Sequence, residues 1–278
     1  MFGKKDEFQK MLFHKEALDE MKKDYSLVDM HVHTMYSHDS KTPIEQLLKR
    51  ARKLGIGLAI TDHKRAEGAV EASRIGKKMG VMVIPGIEIA SRENKDILLC
   101  FYSAKDLLAY YDKYIKGKSY SSRRPKNGFS KTLTAVRSPL RMNDIIEMAD
   151  NYACLKSIPH PYTYFNKSSY MFFAKKKMRP ALKRIDAVEV MNSSSRPYMN
   201  KRSRGWALRR NMAFTAGSDA HRSSELGTGL VACRANSVEG ILDSIKKKRN
   251  LIIGKEIGAR AAFKSTLYIN RTKRHKDW

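Results

Sequence analysis

Six of the chain's eight histidines stand in short motifs that also hold carboxylates. His31 and His33 form an H-x-H pair in D-M-H-V-H, and His38 follows shortly after. His63 closes I-T-D-H, His160 sits in I-P-H-P, and Asp219 and His221 form a D-x-H pair in G-S-D-A-H. Glu88, in P-G-I-E, supplies another carboxylate. Imidazole and carboxylate together are the ligand set of Zn, Mn and Fe hydrolase centres. In extended chain, residues i and i+2 point to the same side, so each pair can grip one ion. A lone strand histidine is ordinarily core or surface. Two such pairs, with three further His or Glu residues at strand ends, favour a metal centre.

The elements that must position these residues can be read from periodicity. Apolar runs with β-branched residues occur at 26–30, 57–61, 81–84, 97–102, 155–158, 187–190 and 213–216, with another at 250–253. Helical spacing lies between them, near 43–54, 66–79, 104–116, 141–152, 200–211 and 237–248. Pro43 suits a first helical turn, and Gly55 and Gly80 suit helix C-termini. Repeated strand–helix order predicts parallel strands in an α/β fold. About seven such pairs fit a barrel better than a small open sheet, although an open doubly wound sheet satisfies the same periodicity. Every candidate ligand group follows a predicted strand, at the barrel end where the loops converge.

Residues 5–24 read as a helix, so 1–25 is expected to be an N-terminal helical extension on a barrel spanning 26–260. Residues 117–140, rich in Ser, Lys, Arg and Gly, read as a basic exposed loop or insertion, and 261–278 as a basic tail. The three cysteines lie far apart with no C-x-x-C spacing, which points to reduced core thiols rather than a zinc or disulfide framework. No apolar run is long enough for a transmembrane helix, and the charged start M-F-G-K-K-D-E-F lacks a signal peptide's apolar stretch. A cytoplasmic protein with no membrane partner is expected.

The chain carries 55 Lys+Arg against 28 Asp+Glu, a net charge of +27. Residues 164–184 hold seven basic residues and no acid, and 196–210 hold six and none. Such patches attract polyanions over a Debye length, about 8–10 Å. A nucleic acid or any phosphorylated substrate would answer to them, as would a basic background without function.

The ordered set H-V-H-T-M-Y-S-H-D-S-K-T-P, A-I-T-D-H, P-G-I-E, P-H-P and G-S-D-A-H resembles the motifs of the PHP (polymerase and histidinol phosphatase) family over about residues 26–255. The resemblance implies a distorted seven-stranded (β/α) TIM-like barrel, two or three divalent ions (Zn, Mn or Fe) and phosphoester hydrolysis by a metal-bridging hydroxide. Carried across, it assigns His31, His33, Glu88 and Asp219 to one ion. Glu88 and His160 go to a second, and His38, His63 and His221 to a third. Members often carry Asp where this chain has His38, so the adjacent Asp39 is a candidate substitute ligand or catalytic base. Asp62 is expected to orient a ligand rather than bind metal. Where many members carry a histidine in the strand after the Glu motif, this chain has Leu98, which leaves the second ion short of a nitrogen ligand.

Arg222 and Arg196 are candidate catalytic and substrate-binding cations for the phosphoryl charge, and Lys64 and Arg65 are further substrate-binding candidates. Each is equally readable as a solvated surface charge. Glu189 and Asn192 are expected to shape a loop. Tyr162, Tyr164, Phe165, Tyr170, Phe172 and Phe173 could stack bases or pack a barrel helix. Tyr110, Tyr111 and Tyr114 read as a packed helix face. Two other classes stay open: a non-catalytic basic nucleic-acid-binding module on the same fold, and a metal-dependent amidohydrolase. The expected substrate is a phosphorylated molecule, with nucleotide, DNA, RNA and small metabolite all open; the oligomeric state is not fixed by these features.

Overall fold

The computed structural model describes residues 11–12, 18–118, 121–122, 136–137, 139–163 and 168–254. Its strands are β1 (Met11–Leu12), β2 (Ser26–Val32), β3 (Gly57–Ile60), β4 (Val83–Ala90), β5 (Asp96–Phe101), β6 (Ser121–Ser122), β7 (Val136–Arg137), β8 (Cys154–Ile158), β9 (Ala187–Asn192), β10 (Ala213–Gly217), β11 (Gly229–Cys233) and β12 (Asn250–Gly254). Its α-helices are α1 (Leu18–Met21), α2 (Ile44–Leu54), α3 (Glu67–Met79), α4 (Ala104–Tyr114), α5 (Met142–Ala149), α6 (Ser169–Phe173), α7 (Arg179–Leu182), α8 (Pro197–Arg209) and α9 (Val238–Lys246).

One sheet runs β1-β12-β11-β2-β3-β4-β5-β8-β9-β10, and β6 and β7 form a separate ribbon. The far edge curls back on β2: Val32 bridges Ala220, and the Asp219 amide donates to the His31 carbonyl at 2.9 Å. The result is a nearly closed, barrel-like sheet. It corrects the seven-stranded parallel expectation, because nine principal strands beside the two-residue β1 take part and the pairing is mixed. The physical reason is local. Only residues 91–95 join β4 to β5, too few for a parallel crossover, so the pair forms an antiparallel hairpin. Asn94 turns it at φ 61. The run L-V-A-C of β11 was absent from the expected strands, and it pairs antiparallel with both β2 and β12.

Helices cover the outside. In α2, Ile44, Leu47, Leu48 and Ala51 recur at helical spacing and are all buried. Each buried Ile or Leu contributes about 1.5–3 kcal/mol. Gly55 ends α2 at φ 64, a left-handed conformation that costs other residues more. Tyr110 is fully buried against Phe101, so the α4 tyrosines form the packed face expected of them. Cys100, Cys154 and Cys233 are buried free thiols. Of the helix expected over 5–24, only the turn Leu18–Met21 is helical among described residues, and Met11–Leu12 instead form strand β1, which pairs parallel with β12; 5–10, 13–17, most of 117–140, Tyr164 and Phe165, and the tail 261–278 lie outside the described residues. No described helix is long and apolar enough to cross a membrane.

Candidate metal centre

The predicted ligands converge on one mouth of the barrel, around three carboxylates. Glu88 stands at the end of β4 with four imidazoles on it. Its Oε2 lies 3.3 Å from His31 Nε2, 3.4 Å from His33 Nε2 and 3.3 Å from His63 Nδ1. Its Oε1 lies 3.3 Å from His160 Nε2. Asp219 Oδ1 sits 3.2 Å from His33 Nε2 and 3.5 Å from His31 Nε2. Asp39 Oδ2 sits 3.2 Å from His63 Nε2, 3.3 Å from His221 Nε2 and 3.7 Å from His38 Nε2. Three overlapping groups follow, each compact enough to hold an ion: His31–Glu88–His160, His31–His33–Asp219, and His33–Asp39–His63.

Backbone geometry at the strand ends aims these side chains. His160 (φ 28), Asp219 (φ 55) and Lys64 (φ 58) occupy the left-handed region, which non-glycine residues seldom adopt. Each is tied down: the His160 amide donates to Glu189 Oε2 at 2.7 Å, and the Lys64 amide to the Glu88 carbonyl at 2.9 Å. Gly217 lies so close to β2 that a Cβ there would fall 2.3 Å from the His31 Cβ. Asp62 accepts from the Thr34 amide at 2.6 Å and from the Thr34 hydroxyl at 2.7 Å, next to His33.

Outer bonds fix the orientation of two of the rings. His31 Nδ1–H donates to Glu189 Oε1 at 3.1 Å, and His221 Nδ1–H donates to the Asp219 carbonyl at 2.9 Å. In the neutral ring each Nε2 lone pair then faces carboxylate oxygens, an acceptor-to-acceptor arrangement that a cation resolves. Buried His221 Nε2 and Glu88 Oε1 have no hydrogen bond among the described residues. The donor set and these orphaned atoms fit divalent ions.

Electrostatics agree. Burial opposes ionisation of Glu88 and Asp39, yet the surrounding imidazoles hold both carboxyls well below the usual carboxylate range. Burial also lowers His160 and His221, but Glu88 and Asp39 respectively outweigh it and raise each to about 9. His33, desolvated and beside His221, falls to about 4. Burial pushes Lys64 down to about 8.

The cation candidates separate. Lys64 is buried beside the cluster. The Arg222 guanidinium bonds Glu225 through Nε at 2.9 Å, while Arg65 pairs with Glu67 at 3.1 Å. Arg196 caps α8 and is exposed. Leu98 stands directly opposite Glu88 in the β4–β5 ladder.

Sequence reasoning missed one residue and undervalued another. Fully buried Asp29 accepts from the Ser218 amide at 2.8 Å and the Gly227 amide at 2.9 Å, fixing the loop that carries Asp219. A carboxylate inside the apolar run S-L-V-D-M was its signal. Glu189, read as shaping a loop, also holds the His31 ring, with Asn192 Nδ2 donating to it at 3.0 Å.

The PHP domain model matches residues 29–248. The chain belongs to the PHP family. Among curated proteins, DNA polymerase III PolC-type from Bacillus cereus is 40% identical over 84 residues, covering 30% of this chain and 6% of the polymerase. A phosphoribosyl 1,2-cyclic phosphate 1,2-diphosphodiesterase from Eggerthella lenta is 39% identical over 64 residues, 23% of this chain and 24% of that one. These matches thus span less than a third of either relative's length. Among solved structures, the lesion-specific endonuclease EndoQ of Pyrococcus furiosus superposes with a TM-score of 0.60 at 17% identity, covering 82% of this PHP chain and 57% of the endonuclease. At that identity the likeness is one of fold.

Proposed function

We propose that the chain is a metal-dependent phosphoesterase that holds two or three divalent ions, Zn, Mn or Fe, at the barrel mouth. The observation that carries this reading is the meeting of Glu88, Asp219 and Asp39 with four imidazoles in three overlapping groups, with His38 and His221 beside Asp39. His31, His33 and Asp219 serve one ion, and His31, Glu88 and His160 a second. His33, Asp39 and His63 serve a third, with His221 and His38 beside them. Asp39 takes the place of a carboxylate ligand here, since its Oδ2 faces three imidazoles and burial is outweighed in keeping it ionised.

Ions bound there supply Lewis acidity, lowering the pKa of a water toward about 7 and offsetting charge on the phosphoryl oxygens. The chain's own residues do the rest. Glu189 keeps His31 in the tautomer whose Nε2 faces inward. Asp29 and Asp62 fix the loops bearing Asp219 and His33. Lys64, beside Asp39, is the cation placed to meet a phosphoryl oxygen, and Arg196 stands further out on the rim. The net reaction adds water to phosphorus and releases the alcohol, whose oxygen takes the proton.

The test is reconstitution of chelator-treated protein with Zn, Mn or Fe, followed by assay on phosphate monoesters, diesters, cyclic nucleotides and short oligonucleotides. Metal-restored hydrolysis of at least one ester class is expected. Inertness toward all of them with metal bound would reject the reading in favour of a binding module.

A further inference from the structure

A substrate has to reach the barrel mouth, and α8 begins beside it. This helix leaves the rim just after β9 and carries Arg196 at its start, then Lys201, Arg202, Arg204, Arg209 and Arg210 along and just beyond it, with no acidic residue. Thirteen residues at 1.5 Å per residue make a stripe about 20 Å long. Several exposed lysines elsewhere pair with a carboxylate three or four residues away, as in Lys22–Asp19, Lys116–Asp112 and Lys247–Asp243, while others such as Lys49, Lys77 and Lys105 lie on helices that also carry acidic residues. Among the described residues, no carboxylate lies within ion-pair distance of exposed Lys201, Arg202, Arg209 or Arg210.

The arrangement opposes helix stability at the leading end. Cations at a helix N-terminus run against the macrodipole, and like charges at i, i+3 repel, each by a few tenths of a kcal/mol. Bound phosphate groups would reverse both effects. The stripe is also joined to the metal centre. The Arg202 guanidinium lies 4.7 Å over the ring of Tyr162, two residues beyond His160. Tyr162 stacks on Tyr170 at 4.5 Å, and Tyr170 meets Trp206 of α8 edge-on at 5.5 Å. This aromatic stack packs α8 against the loop that carries His160. Tyr198, half exposed at 50% in the first turn of α8, offers a ring on which a base can stack beside Arg202.

We infer that α8 is a binding track for single-stranded nucleic acid, whose phosphates lie along Lys201, Arg202, Arg209 and Arg210 and lead to the barrel mouth. The inference rests on the phosphoesterase reading and names its substrate as a polynucleotide. A small phosphorylated metabolite needs one or two cations at the mouth and makes no use of charges about 20 Å away.

Fluorescence anisotropy with a labelled single-stranded DNA of about 20 nucleotides, run over a salt series on the full chain, tests it. Lys201→Glu/Arg209→Glu/Arg210→Glu is compared with Lys49→Glu/Lys77→Glu/Lys105→Glu, which makes the same charge change on α2, α3 and α4, where those lysines are exposed. A Gln version of the α8 set guards against misfolding. Three lost phosphate contacts should weaken binding at least about tenfold and flatten the slope of log K against log salt by about two. The control should lose no more than about threefold. Equal losses in both sets, or an unchanged salt slope in the α8 set, would overturn the track. Hydrolysis of p-nitrophenyl phosphate by the unaltered, metal-loaded protein reads the centre alone, so the two readings fail separately.

Discussion

Glu88 and Leu98 are direct partners across the β4–β5 ladder, so their side chains share one face of the sheet. That face is the one turned toward His31 and His160. An apolar side chain therefore fills a place next to the His31–Glu88–His160 group where another ligand could stand. Leu98→His is expected to add about one tightly held equivalent of metal after dialysis, measured by inductively coupled plasma mass spectrometry. Unchanged stoichiometry in a folded variant would show that Leu98 does not limit that group.

Glu189 acts on the centre through His31. Glu189→Gln keeps the shape and removes the charge that fixes the His31 ring and the His160 amide. Loss of such an outer partner costs about 10–100-fold in metal affinity. Competition against a chromogenic chelator measures it. An affinity within about twofold of the parent would assign Glu189 a purely structural role.

Much of this was legible before any coordinates. T-D-H, P-G-I-E and D-A-H each sit where an apolar run ends, and strand ends are where a barrel gathers its loops. The direction of β5 was not legible, because alternation is the same in parallel and antiparallel strands; only the short 91–95 connection carried that information. The β11 strand was lost because its run is brief and follows a glycine-rich loop. Asp39 could be proposed as a substitute for His38 but not placed, since contact with His63 and His221 depends on loops far apart in the chain. The charge of α8 was visible as composition; that no described carboxylate reaches Lys201, Arg202, Arg209 or Arg210 was not.

Gly217 has no room for a side chain. Gly217→Ala would drive a methyl into the His31 Cβ and push β2 from the β10 edge. A loss of about 1–3 kcal/mol in urea unfolding is expected, with weaker metal retention. Stability and metal content both equal to the parent would contradict this close approach.

The metal-free protein should lose stability as pH rises from about 6.5 to about 8. His160 and His221 are raised to about 9 when folded, so the folded state keeps protons that the unfolded state releases near its ordinary imidazole pKa. Their contribution is complete below about 6.5 and disappears as pH passes through about 9. The slope is up to about 1.4 kcal/mol per pH unit for each ring. Lys64, depressed to about 8, works the other way above that pH and makes the loss shallower between about 8 and 9. Bound metal holds the rings neutral, so the loaded protein should show a flat profile in the same denaturation series. Identical slopes with and without metal would contradict the assignment.

His33 Nε2 and Asp219 Oδ1, 3.2 Å apart, are proposed to hold the metal on which phosphoester hydrolysis depends. The most direct measurement is the hydrolysis rate as a function of bound metal per chain, for the parent protein and for His33→Ala and Asp219→Ala. The rate should rise with the first two or three equivalents in the parent, and both variants should fold, bind less metal and lose at least about a hundredfold in rate. Full turnover in either variant, or hydrolysis that ignores metal content in the parent, would contradict that role.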